Sequence, residues 1–448
     1  MLYQFIVENF KSFRDEAILN LVAASYDQHP SHIHKRTKNG TNVLRTGAFY
    51  GANASGKTNL VKAIHFAKNL ITVGTSGEMA IDTKPFRLSE KSRHAPSRFE
   101  FIFEADDTIY HYGFVLFSDR IAEEWLLDVT QKKEKVIFER TLDGDKTKVT
   151  PGKKYFKTKN DRELINFIAQ TTRINQLFLK EAFEKNVEQI KPVYRWFEED
   201  LQIVPAIADY RALEMRTKSD ESFSNFLGRL LKDAGTGIEK IEAESLELDF
   251  DKYLPALDSK QREMISSHIR KEQGAITIDD GKGHKYFIHI EDPKKGPELL
   301  RLRALHKDDQ GNMVSFELKE ESEGTRRYLN LLPMLYDTQA DNRVYIIDEL
   351  ERRLHSDLVK SFVEMFLKQN ENSKSQLIFT SHNTNLLDQD LLRRDEIWFI
   401  EKDLNSGASS LYPLTDMDVR HDLKLDKAYL HGRFGATPKI NKSFLYQE

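Results

Sequence analysis

The rhythm of hydrophobic and polar positions changes several times along the chain, and each change predicts an element. Met1-Leu2-Tyr3-Gln4-Phe5-Ile6-Val7-Glu8 alternates with the period of a strand. From Asp27 to Asn42 the chain is polar, rich in His, Lys and Asn, and reads as a loop. Gly47-Ala48-Phe49-Tyr50 reads as a short strand, and Asn59-Leu60-Val61-Lys62-Ala63-Ile64 as the first turns of an amphipathic helix. Strand patterns return at Phe99–Glu104 and Ile109–Phe117. They continue as hairpins from Lys132 to Lys159, with turn signals at Asp143-Gly144-Asp145 and Pro151-Gly152.

Near Asp161 the period lengthens. Apolar stripes such as Leu164, Ile165, Ile168 and Phe223, Phe226, Leu227, Leu230, Leu231 predict helices as far as about Lys240. Residues 244–303 are mixed and highly charged, with a helix expected around Ser259–Gln273 and a strand pair around the Gly281-Lys282-Gly283 turn. Then strands and helices alternate: Val314–Leu318, a helix over Thr325–Tyr336, strand Val344–Ile347, helix Ser356–Gln369, strand Gln376–Thr380 and a last strand Glu396–Glu401. That alternation argues an α/β fold with a parallel core. The expected organisation is one α/β domain, residues 1–160 and 306–448, split by a largely helical insertion over 161–305. Sustained heptads, internal repeats and low-complexity segments are absent, so a long coiled coil is not expected.

Composition changes this picture little. The 448 residues suffice for two or three domains, and 39% hydrophobic with 31% charged residues is ordinary for a folded chain. A net charge of −4 gives no global nucleic-acid signature, though a local patch remains open. Lys132, Lys133, Lys135, Arg140, Lys146, Lys148, Lys153, Lys154, Lys157 and Lys159 form the densest basic stretch. Acids are interspersed and aromatic interleaving is lacking, so a solvated hairpin face is the better reading. With no cysteine, disulfides, thiolate zinc sites and cysteine nucleophiles are excluded, and a cytoplasmic location is expected. No signal peptide is read at the N-terminus, and no apolar run reaches the ~20 residues of a membrane span.

The chemistry is concentrated in a few segments. Gly51-Ala52-Asn53-Ala54-Ser55-Gly56-Lys57-Thr58 fits the phosphate-binding pattern GxxxxGK[ST] between a strand and a helix, the context that pattern requires. Small residues such as Gly51, Asn53, Ser55 and Gly56 let main-chain N–H groups curl around a phosphate at a helix N-terminus. Lys57 would reach the β- and γ-phosphates, and the Thr58 hydroxyl would ligate Mg²⁺. Arg343-Val344-Tyr345-Ile346-Ile347-Asp348-Glu349 is an apolar strand ending in two acids, expected beside the phosphate loop in a parallel sheet. Asp348 would hold Mg²⁺, and Glu349 would orient and deprotonate the attacking water. Thr380-Ser381-His382-Asn383 follows another apolar strand, where His382 can hydrogen-bond the γ-phosphate or that water. Glu321-Ser322-Glu323-Gly324-Thr325 precedes a helix. Locally it is a helix start capped by Ser322 or Thr325; the sharper reading is a second anion-binding N-terminus.

The order of these four motifs resembles the ABC ATPase superfamily, and within it the SMC/RecF-type branch. Phe5-Ile6-Val7-Glu8-Asn9-Phe10-Lys11-Ser12-Phe13 is similar to that branch's first strand, and Asp348-Glu349-Leu350-Glu351 with Leu354-His355 to the segment after its Asp-Glu pair. More narrowly, the chain resembles prokaryotic abortive-infection ATPases of the AbiLi and OLD-like group, including Gly432-Arg433-Phe434-Gly435-Ala436-Thr437-Pro438. The resemblance covers about residues 1–130 and 310–440 firmly, and the middle loosely. It implies an ABC-type ATPase head that binds ATP and Mg²⁺ and dimerises head to head, with a higher homo-oligomer left open. Ser322 and Gly324 would then contact the γ-phosphate held at Lys57 of the other copy. The usual Leu-Ser-Gly-Gly-Gln is reduced here to Ser-Glu-Gly, and no glutamine loop is evident beyond a candidate near Phe99-Glu100.

The resemblance further implies a sensor or scaffold of an anti-phage system. Little chain follows Glu401, so a nuclease or toxin effector is expected as a separate polypeptide. A RecF-like ATPase that clamps DNA is the alternative, leaving nucleic acid open as a partner. A transporter subunit ranks last, because the stretch from Lys57 to Ser322 is long for one, and no membrane contact is expected.

Overall fold

A computed structural model describes the chain apart from residues 27, 36–39, 78, 145, 207–209, 211, 273–274, 280–284, 291–295, 339–341, 370–372, 421–422 and 439–448. Two compact units form: Met1–Ala206 with Ala340–Glu351 and Lys360–Glu448, and Ile207–Gln339 with Arg352–Val359.

The first unit contains two sheets. Leu2–Glu8, Ala17–Asn20, Ser97–Ala105, Thr108–Leu116, Ile121–Asp128, Lys135–Asp143 and Lys146–Pro151 make a seven-stranded sheet whose neighbours all run antiparallel. The other has six strands in the order Leu201–Val204, Val344–Ile347, Gln376–Thr380, Thr46–Tyr50, Ile397–Lys402, Ser409–Pro413. Five of these run parallel and the last is antiparallel. Thr46–Tyr50, Val344–Ile347 and Gln376–Thr380 are buried throughout, as strands covered on both faces must be, which is why they read as unbroken apolar runs.

One continuous core joins both sheets through the helix Lys57–Thr72. Leu60, Ile64, Ala67 and Ile71 of that helix pack with Phe5, Phe99, Phe101 and Phe103 of the antiparallel sheet and with Phe49, Ile346 and Ile378 of the parallel one. The 3.6-residue spacing of the helix's apolar positions thus has two sheet faces to serve.

The strand and helix expectations for the C-terminal third agree with the structure at Val344–Ile347, Ser356–Gln369 and Gln376–Thr380. Four differences have physical causes. Residues 161–206 belong to the first unit, because Ile165, Phe178, Val193 and Trp196 are buried in its core and Leu201–Val204 adds an edge strand beside Val344–Ile347. The acid-bearing strand is not the immediate neighbour of the phosphate-loop strand, since Gln376–Thr380 lies between them. Ile397–Lys402 is followed by one more strand, Ser409–Pro413, so the sheet does not end near Glu401. Part of the expected polar loop is a hairpin, Ile33–Lys35 with Asn42–Leu44.

The second unit is mixed rather than chiefly helical. The helices Glu221–Asp233 and Ser259–Glu272 accompany an antiparallel sheet of Ile238–Glu247, Ile276–Asp279, Lys285–His289, Glu298–Lys307 and Met313–Glu317. The strand pair expected here is present; its Gly281-Lys282-Gly283 turn lies outside the described residues. Helix Glu221–Asp233 starts on the Asp220 cap and lays Phe223 and Phe226 against Tyr336 of the helix Glu323–Asp337. Among the described residues no helix is long and apolar enough to cross a membrane.

Candidate functional site

The site grows from the carboxyl ends of three parallel strands of the first unit. After Tyr50 the chain turns through Gly51–Gly56 into the helix beginning at Lys57. Gly56 has φ 125°, and a Cβ there would come within 2.5 Å of Ser409 Oγ and 2.9 Å of Ser12 Oγ. At Gly51 a Cβ would lie 2.3 Å from the Ile400 carbonyl. Both glycines are therefore required by space, and Gly56 also by its backbone conformation. Two serines hold the loop from behind. Ser409 Oγ donates to the Ser55 carbonyl at 2.5 Å, and Ser12 Oγ accepts from Asn59 Nδ2 at 2.8 Å. Neither serine stands out in the sequence, because each acts singly and from far along the chain.

Lys57 is buried, and its Nζ donates to the carbonyls of Gly51 at 2.7 Å and Ala52 at 3.0 Å. Burial lowers its pKa to about 8, against the opposing pull of Glu351, Asp348 and Glu349. Thr58 Oγ1 donates to Asp348 Oδ1 at 3.3 Å, bringing the two predicted metal ligands together across the sheet. The same carboxylate oxygen accepts from Thr380 Oγ1 at 2.7 Å, so the strand between them fixes Asp348. Thr380 Oγ1 in turn accepts from the Glu349 N–H at 2.8 Å. Glu349 has φ 49°, left-handed for a non-glycine residue, and the bond to Thr380 holds it there.

His382 follows two residues after Thr380 and is exposed, while its main-chain N–H donates to Glu351 Oε1 at 2.5 Å. The imidazole pKa is lowered, first by partial desolvation and then by the Lys57 charge. It is thereby held toward the neutral form, able to donate or accept one hydrogen bond.

Gly51, Ser55, Gly56, Lys57, Thr58, Asp348, Glu349 and His382 thus share one end of one sheet, with Asn53 exposed on the loop. Ser322 and Gly324 belong to the second unit. Ser322 is the exposed N-cap of helix Glu323–Asp337, its Oγ accepting from the Thr325 N–H at 3.0 Å. Gly324 packs where a Cβ would lie 2.7 Å from the Arg353 carbonyl, so the glycine there is needed sterically within its own unit. Glu100, beside the candidate glutamine loop, is buried in the antiparallel sheet and paired with His111 and Arg98. Within the basic stretch, Arg140 is not part of a solvated face: it is buried against Glu124 at 3.2 Å.

The donor set fits a magnesium–nucleotide. Ser55 Oγ is buried with no hydrogen-bond partner inside the loop, as a group awaiting an acceptor or donor would be. Thr58 and Asp348 offer two hard oxygen ligands. Among the described residues no cluster of three His, Cys, Asp or Glu forms a metal cage. Mg²⁺ takes few protein ligands and completes its shell with phosphate and water oxygens, so two suffice.

The family model described as "AAA domain, putative AbiEii toxin, Type IV TA system" matches residues 48–388, a span that includes both strand-end motifs. The chain belongs to this family. As a member of it, the chain has the phosphate loop and Asp348-Glu349 of an ATPase-type domain on one sheet edge. Curated proteins offer no match. Among solved structures, an SMC head domain from Thermotoga maritima is 13% identical, covering 93% of this chain and 99% of that one at TM-score 0.36. An Smc head bound to the C-winged helix domain of ScpA is 13% identical, with coverages of 96% and 99% and TM-score 0.41. An Smc head with extended coiled coil, bound to the C-terminal domain of ScpA derived from Pyrococcus furiosus, is 14% identical, covering 97% and 99% at TM-score 0.37.

Proposed function

We propose that this member of the AAA/AbiEii family binds ATP with Mg²⁺ at the Lys57 loop and hydrolyses it. The observation that carries this reading is the 3.3 Å approach of Thr58 Oγ1 to Asp348 Oδ1 beside buried Lys57. A triphosphate would draw Lys57 from the loop carbonyls to its β- and γ-oxygens, with Thr58 and Asp348 holding Mg²⁺. The ion's role is to neutralise charge on those oxygens. Glu349, set by its N–H bond to Thr380, orients water and takes its proton, and neutral His382 steadies the γ-phosphate or that water.

The second half of the site comes from another copy of the chain, through Ser322 and Gly324 at the exposed start of the fifteen-residue helix Glu323–Asp337. The biological role we infer is sensor or scaffold of a prokaryotic anti-phage system with a separate effector. Its support is the family description, which names a putative AbiEii toxin and a Type IV TA system.

The deciding experiment is titration of the Lys57→Ala protein with a fluorescent ATP analogue. Affinity should fall at least about a hundredfold, the scale of losing a charge-assisted phosphate clamp. Retained affinity removes the reading. Mixing Lys57→Ala with Ser322→Arg subunits should restore turnover that neither shows alone, and no recovery would remove the role of Ser322 in trans.

A further inference from the structure

Beyond the bond from Thr380 Oγ1 to Asp348, three links stitch the acidic turn to the end of the neighbouring strand. The Glu349 N–H donates to Thr380 Oγ1 at 2.8 Å and the Leu350 N–H to the Thr380 carbonyl at 3.1 Å. The third runs the other way, from the His382 N–H to Glu351 Oε1. The first two use the turn's own main chain. The Asp348 side chain adds the link of its own, accepting from Thr380 Oγ1 at 2.7 Å, but among all of these only the Glu351 bond reaches His382.

Glu351 makes this connection from a costly position. Its Oε2 is buried without a hydrogen-bond partner, and so is the hydroxyl of Tyr50, the residue that enters the phosphate loop. Leaving a carboxylate oxygen unmatched is costly, and the bond that holds the side chain there is the one from the His382 N–H to Oε1. The negative charge is felt on all sides: it opposes the lowering of the Lys57 and His382 pKa values and adds to the burial that raises Tyr50.

We propose that Glu351 is a positioning residue for nucleotide hydrolysis, its Oε1 fixing the His382 main chain to the Glu349 turn so that Glu349 and His382 keep one register. The proposal rests on the ATPase reading above, but the link itself does not. Loss of the bond leaves the Lys57 loop and the Thr58–Asp348 pair in place, so nucleotide affinity stays while turnover falls.

The test compares Glu351→Ala with Glu351→Gln in the full chain, both checked for an unchanged melting transition. The glutamine retains an acceptor oxygen, whereas the alanine does not. Hydrogen exchange at residues 381–383 without nucleotide should quicken about tenfold in Glu351→Ala and stay near wild type in Glu351→Gln, as loss of a charge-assisted bond implies. Turnover should drop about ten- to a hundredfold in the alanine variant and by less than about threefold in the glutamine variant. Affinity for the fluorescent ATP analogue should stay within about threefold of wild type in both. Unchanged exchange in Glu351→Ala, a glutamine variant as impaired as the alanine one, or affinity lost in step with turnover would each overturn the proposal. A wild-type chain without ATPase activity would defeat the functional reading alone, while the exchange result would still decide whether Glu351 holds the loop.

Discussion

The parallel sheet of the first unit and the antiparallel sheet of the second place their charged residues in opposite ways. In the parallel sheet of the first unit, Thr46–Tyr50, Val344–Ile347 and Gln376–Thr380 bury every position. These three strands hold no charged side chain, and the charges collect beyond their carboxyl ends, at Lys57 and Asp348 beside Thr380. In the antiparallel sheet of the second unit one face is wet, and charges line the strands themselves. Arg301 lies opposite Glu244 and bonds it at 2.6 Å, reaching Glu317 at 3.2 Å, and Arg303 spans the same two acids at 3.4 Å each. The same residue types are chemical reagents on one sheet and register marks on the other. What separates them is whether the strand around them is dry.

The largest effect should follow from Glu349→Gln. Removing a positioned base typically costs 10²- to 10⁴-fold, so turnover should fall at least about a hundredfold. ATP binding should persist, since neither Lys57 nor Asp348 is touched. Rapid-quench turnover and analogue titration separate the two. Undiminished turnover would show that the dry sheet edge does not supply the base at this position.

Much of this edge was legible in the sequence. The phosphate loop makes its decisive contacts within eight residues of itself, so its pattern is self-sufficient. Asp348 announces itself as the first charge after a buried run. What stayed hidden depends on distant partners. Ser409 bonds the loop at Ser55 and Ser12 bonds Asn59 in the helix just after it, from opposite ends of the chain. Leu201–Val204 is a four-residue edge strand directly after Glu198-Glu199-Asp200, and its apolar run is too short to separate from the helices before it. Glu351 appeared only as part of a resemblance, with no role, because its partner is a main-chain N–H thirty-one residues on. In the second unit the alternation of Ile238–Glu247 and Glu298–Lys307 was masked by charges on both strands, so the sheet was under-read.

A smaller effect sharpens the contrast through pH. The buried Lys57 loses its proton near pH 8, well below an ordinary lysine at 10.5. Folding stability contributed by this group therefore rises between pH 8 and 10.5, because the cost of burying its charge is relieved. Phosphate binding has the opposite sign, since it needs the charge. Affinity for the ATP analogue should weaken about tenfold from pH 7 to pH 9, one unit above the midpoint. Arginine stays protonated throughout, so Lys57→Arg should flatten that slope whatever its absolute affinity. A wild-type profile that is flat to pH 9 would place the lysine in a wetter site than the sheet edge described above.

The smallest effect belongs to the wet sheet. Arg301 and its two acids are partly exposed, and pairs of that kind contribute about 0.2–1 kcal/mol each. Arg301→Ala should therefore lower stability by no more than about 2 kcal/mol, part of it from lost stem packing, and should do so less at high salt. Denaturant melts at low and high ionic strength give both numbers. Analogue affinity at Lys57 should not change, because the arginine's ion pairs fix strand register within its own unit. A loss of affinity comparable to that of Lys57→Ala would mean that charges on the second sheet act as reagents after all, and the distinction between dry and wet strands would fail.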